Sequence, residues 1–124
     1  MQTYFEDFFG LLKNCHNDIH KALDGLIPEA LDWVPGQDMN SISVLVVHLT
    51  GAERFWIGDV AAEDPSNRDR DAEFKAKQLG TDALKKRLDD TLSYVRTALE
   101  KFSLQDLVPE PRRHVLEGEC WHGL

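Results

Sequence analysis

Five histidines and two cysteines carry most of the metal-binding and nucleophilic capacity of this chain, and their settings differ. His48 lies inside the run Ser-Val-Leu-Val-Val-His-Leu that spans residues 43–49. A neutral imidazole in such a run needs a partner, either a divalent ion or a buried hydrogen bond to a carbonyl or water. One imidazole binds a metal weakly, so the partners decide what His48 can do. His16 and His20 form an H-x-x-x-H pair whose spacing puts both rings on one helix face. Asn17, Asp18 and Lys21 surround them and no Glu follows His16, so a solvated helix edge is the expectation there. Cys120 and His122 are two residues apart, about 200° around a helix, and do not readily face one ion. His114 follows Arg112 and Arg113 and reads as surface. The carboxylate pairs Glu6-Asp7 and Asp89-Asp90 are adjacent in sequence and diverge on a helix, so neither makes an acid–base dyad. The chain has no Gly-rich phosphate loop, no G-x-S-x-G elbow and no C-x-x-C.

The elements that position these groups are helical. Phe5, Phe8, Leu12, Cys15, Ile19, Ala22 and Leu26 recur at steps of three and four, a stripe about six turns long that Gly25 and Pro28 end. A second helix starts from a cap at Asn40 or Ser41 and runs through Ile42, Leu45, Leu49, Ala52 and Trp56. Gly58 and the polar tract Glu63 to Asp71, with Pro65, close it. A third begins at Thr81 and shows Leu84, Leu88, Leu92, Val95, Leu99 and Phe102. Nothing alternates with period two over a useful length, so no sheet is expected. The connections 27–39 and 59–80 are long, as in bundles that are not simple up-down-up-down. Trp33, Phe55 and Trp56 are read as core aromatics rather than as a pocket lining.

Residues 103–119 are irregular, with Pro109 and Pro111 barring a helix. Cys120, Trp121 and Leu124 are spaced like the first turn of a further amphipathic helix, with no continuation in the sequence. Three helices with wide stripes leave an apolar trough about 30 Å long. Such a trough drives association unless something covers it: either the natural protein is longer than this sequence, the simpler expectation, or a second copy covers it, and for the chain as given a homodimer is expected.

Composition narrows the function classes. With 124 residues, 42% apolar and 29% charged, the chain suits a single globular domain spanning residues 1–124. The net charge of −8 argues against a nucleic-acid partner. The one dense basic run, Lys85-Lys86-Arg87, spreads around a helix and reads as a solvated face. No apolar run reaches the roughly 20 residues of a membrane span. The N-terminus lacks a basic n-region and carries Glu6 and Asp7. With two distant cysteines expected to stay reduced, a cytoplasmic location follows.

The segment from Leu31 to Trp56 resembles the entry to the second helix of the DinB-like superfamily. The matching residues are Leu31-Asp32-Trp33, Pro35-Gly36, Asn40-Ser41, His48 and Gly51-Ala52-Glu53. The linker ending in Glu73-Phe74 and the helix from Thr81 to Phe102 are similar to that family's middle portion. The resemblance implies an all-α, up-down helical bundle with three long helices and an incomplete fourth. It also implies a divalent metal held by three histidines, of which His48 matches the first. The other two form an H-x-x-x-H pair on the fourth helix, which this sequence lacks after Trp121-His122. The family's chemistry is thiol-dependent transfer or hydrolysis, with nickel, zinc, iron or manganese and a low-molecular-weight thiol as cofactors. The expectation is a metal-dependent enzyme of that type, impaired by the missing ligands. The alternative is a non-enzymatic dimerising domain, or a remnant, without metal.

Overall fold

A computed structural model describes residues 1–103. Its long elements are α1 (Thr3–Leu23), α3 (Ile42–Arg54) and α5 (Gly80–Glu100), with the short α2 (Pro28–Asp32) and α4 (Arg70–Glu73) inside the two long connections. A π-helical segment, Phe55–Ala61, continues α3 without a break. Among the described residues there is no strand, and the architecture is an all-α helical bundle. No described helix is long and apolar enough to cross a membrane.

Sequence explains where the helices stop and start. α1 ends at Leu23, two residues before Gly25, which adopts φ +78° at no side-chain cost. The hydroxyl of Ser41 accepts the Val44 N–H at 3.0 Å and caps α3. α5 begins at Gly80, one residue before the expected Thr81.

α5 packs against both α1 and α3. Leu23, Leu31, Val46, Val47, Leu84 and Leu88 form one buried cluster, and Phe5, Val95 and Leu99 form a second. The clusters pair the start of α1 with the end of α5 and the end of α1 with its start, so these two helices are antiparallel. α3 runs parallel to α5, since Arg87 reaches Thr50 and Arg54 lies over the Tyr94 ring. The crossover that parallel helices require is residues 62–79, as the long connection led one to expect.

The helix faces differ from the sequence reading in two places. On α3 the expected stripe is turned outward: Ile42 and Leu49 are exposed and Leu45 is 54% exposed. Its buried face is Ser43, Val44, Val46, Val47, Thr50 and Gly51. On α1, Cys15 is exposed while His16 is buried, 1% exposed, so the working stripe is Phe5, Phe9, Leu12, His16, Ile19 and Leu23. Trp33 is not core either: it is 65% exposed. Phe55 and Trp56 are half-buried and meet edge-on, with ring centroids 5.4 Å apart.

Candidate functional site

His48 lies at the edge of the buried face of α3, where the crossover comes down on it. Its ring stacks obliquely on Phe74, with centroids 4.8 Å apart, and its side chain is 29% exposed. The imidazole is half-buried and turned toward the crossover. Its Nδ1 is 3.1 Å from Oε1 of Glu73. Arg68 holds that carboxylate with a two-pronged grip, Nε to Oε2 and Nη2 to Oε1, both at 2.9 Å. Arg68 Nη2 also stands 3.4 Å from Nδ1.

The two contacts at Nδ1 compete, because one needs a proton on the ring nitrogen and the other a lone pair. A bare lone pair facing a carboxylate oxygen at 3.1 Å would be repelled, and the Arg68 donor is already committed to the shorter bond. Nδ1–H therefore donates to Glu73, which leaves the lone pair on Nε2. No described residue hydrogen-bonds Nε2.

Glu73 reaches this position through a gap in α3. A Cβ on Gly51 would collide with Oε2 and lie 2.7 Å from the carboxyl carbon of Glu73. The carboxylate is 6% exposed. Burial pushes its pKa up, but hydrogen bonds from Arg68 and His48, with their charges, outweigh it, so the group titrates below the ordinary range. The sequence reading missed Glu73 and Arg68 as partners of His48. The available signal was Gly51, a glycine in a helix interior, which marks a close approach.

The other candidates separate. His16 and His20 share no ion site: Nε2 of His16 sits 2.8 and 2.9 Å from the two oxygens of Glu53 on α3, and Nε2 of His20 pairs with Asp89 on α5 at 2.8 Å. His16 thus stands inside the bundle rather than on a solvated edge, because Glu53 offers its ring a partner there. Its Nδ1 is buried without a hydrogen bond among the described residues. Asp89 and Asp90 take separate partners, His20 and Lys86. Cys120, His122, His114 and the expected fourth helix lie outside the described residues. Among the described residues no three His, Cys, Asp or Glu side chains gather to hold a metal. They offer one well-oriented donor, not a coordination sphere.

Between α3, α4 and α5, behind the Arg68–Glu73 pair, lies a cleft of about 690 Å³. Arg54, Arg68, Arg87, Asp90, Thr91 and Tyr94 are among the side chains that line it. At one end a polar network ties the crossover down. Arg54 donates to Asp59 at 2.8 Å, Asp59 accepts from Ser66, and Tyr94 donates to Asp64 at 2.5 Å. The network needs Gly58, where a Cβ would strike the Arg54 guanidinium and lie 2.7 Å from the Tyr94 hydroxyl. Burial first, then the bond to Asp64, raises the Tyr94 pKa.

No curated protein and no solved structure matches the chain. A family model described as "protein of unknown function (DUF1572)" matches residues 1–112, nearly the whole sequence, and the chain belongs to that family.

Proposed function

We propose that this protein is a DinB-like helical-bundle protein of the cytoplasm in which His48 is a metal ligand through Nε2. The observation that carries this reading is the Arg68–Glu73–His48 relay. Metal-bound imidazoles almost always give their other ring N–H to a carboxylate, which fixes the tautomer and raises the basicity of the ligating nitrogen. Among the described residues no three His, Cys, Asp or Glu side chains gather, so this reading draws its remaining ligands from outside them, with binding weakened because the sequence lacks the family's H-x-x-x-H pair. The reaction class, metal-dependent transfer to or from a small thiol or hydrolysis, rests on the sequence resemblance alone, and no catalytic step is derived from it. Imidazole ligation suits nickel, zinc, iron and manganese alike.

The test is metal analysis of the full, untagged chain after incubation with each of these ions. His48→Ala is expected to abolish stoichiometric binding, and Glu73→Gln to weaken it by about 10–100-fold. Equal metal content in the wild type and His48→Ala would overturn the reading.

One observation favours a second role, self-association. Tyr4, Phe8 and Leu11 on α1 and Ile42, Leu45 and Leu49 on α3 are all exposed. At 100° per residue both faces lie beyond the His16–Glu53 pair, on the side of the bundle away from α5. A homodimer that covers them removes this apolar surface from water.

A further inference from the structure

We infer that the cleft between α3 and α5 is a binding site for a small oxyanion-bearing molecule, with Arg87 as its anchor and Thr91 as a second donor. The cleft volume, about 690 Å³, falls within the range of small-molecule sites. Most charges along its walls are already spoken for. Arg68 is bound to Glu73, Lys86 to Asp90, and Arg54 to Asp59 and Asp64. Asp69 uses an oxygen to cap α4 through the Ala72 N–H. Arg87 is the exception: it lines the cleft and has no carboxylate within ion-pair reach among the described residues.

Arg87 is nonetheless held in place. Its Nε donates to the Thr50 hydroxyl at 2.7 Å, and its Nη2 approaches the Val47 carbonyl at 3.5 Å. Both partners are neutral, so among the described residues the exposed guanidinium is oriented without an ion pair. Thr50 in turn donates its hydroxyl proton to the Val46 or Val47 carbonyl, at 2.9 and 3.0 Å, which leaves its oxygen to accept from Arg87. A guanidinium fixed through Nε keeps free N–H groups in the planar fork that suits carboxylate and phosphate oxygens. Thr91 follows Arg87 by one helical turn and also lines the cleft. Its hydroxyl has no hydrogen-bond partner among the described residues. Ala72 and Ala83 add small side chains to the cleft's open rim. The run Lys85-Lys86-Arg87 is the solvated face expected of it, with Lys86 and Arg87 exposed; Lys85 pairs with Asp24, Lys86 with Asp90, and Arg87 lies along the open side of the cleft.

The ligand class is defined by the oxyanion, whether carboxylate or phosphate, and the test separates the two. The full chain, stripped of metal so that the His48 reading does not enter, is titrated with succinate and with inorganic phosphate at constant ionic strength set by chloride. Backbone amides of Thr50, Gly51 and Thr91 and the Arg87 Nε–H are followed by NMR. Saturable shifts at these positions with at least one of the two probes are the expected result, and the tighter probe names the preferred oxyanion. Arg87→Gln is expected to weaken that binding at least tenfold, Arg87→Lys by less, and Thr91→Val by a few-fold. Arg87→Lys keeps the charge and guards against a variant that merely fails to fold. No saturation with either probe, or equal saturation in Arg87→Gln, would overturn the inference.

Discussion

Replacing Gly51 by alanine separates two forces that pull in opposite directions. On helix propensity alone the change stabilises α3 by about 1 kcal/mol. The added methyl, however, must occupy space that the Glu73 carboxylate fills, with the carboxyl carbon 2.7 Å away. The glutamate end is mobile in principle but is gripped here by Arg68 and His48. If it retreats, Arg68 and His48 lose a buried charged partner, at about 3 kcal/mol, the lower end for a broken buried pair because the carboxylate regains water. The net expectation is a loss of about 2 kcal/mol, a fall in Tm of roughly 6–12 °C for a domain this size. Thermal unfolding followed by circular dichroism reads it directly. The decisive comparison is a double-mutant cycle: in a Glu73→Ala background, Gly51→Ala should be neutral or stabilising, with a coupling of about 2–3 kcal/mol. A Gly51→Ala protein more stable than the wild type, or additive single and double variants, would refute the packing of Glu73 against α3.

Further expectations follow from the same geometry. The Glu73 pKa is depressed in the folded state, so its contribution is present above the unfolded value, about 4.3, and lost as pH falls through the folded one. Glu73→Gln should therefore lower stability at pH 7 and flatten the acid limb below about pH 4.3, as measured by urea midpoints across pH. Tyr94→Phe should remove a late component from the alkaline rise in tyrosinate absorbance, since its pKa is raised. Ser41→Ala should cost about 1 kcal/mol through the lost cap of α3, read from the urea midpoint. Leu45→Lys should leave monomer stability within about 0.5 kcal/mol but convert a dimer to monomer in sedimentation, and an unchanged assembled species would remove this face from the interface.

Two helix ends were legible because they depend on local chemistry: Gly25 and the Ser41 cap sit where the sequence reading put them, whereas Gly58, expected to help close the second helix, lies inside the π-helical segment that prolongs it. The facing of α3 was not. Residues 42–49 are apolar nearly all round, so Ile42-Leu45-Leu49 and Val44-Val47-Gly51 follow the same three-then-four spacing, and only the position of α5 decides between the two faces. His48 was identifiable as an oddity in an apolar run, yet the Glu73 that orients it is 25 residues away and was legible only through Gly51. His16 hid for a similar reason. Its neighbours in sequence are polar, and the Glu53 that draws it inside is 37 residues distant. Short helices such as α2 and α4 carry too few residues for periodicity to show.

The wide turn after α3 lengthens the chain at that point. In an ordinary helix Arg54 would find its neighbours at positions 57 and 58, but here it grips Asp59, five residues on. The Ala62 N–H likewise bonds the Ile57 carbonyl, again a span of five. Excising a single codon between Phe55 and Asp59 would let the backbone relax into ordinary α-helical coiling, in which the aspartate falls four residues after Arg54 and keeps its place beside it. The wide turn thus takes up one extra residue without moving the anchor, so a one-codon deletion there should do less damage than losing Arg54 or Asp59 themselves.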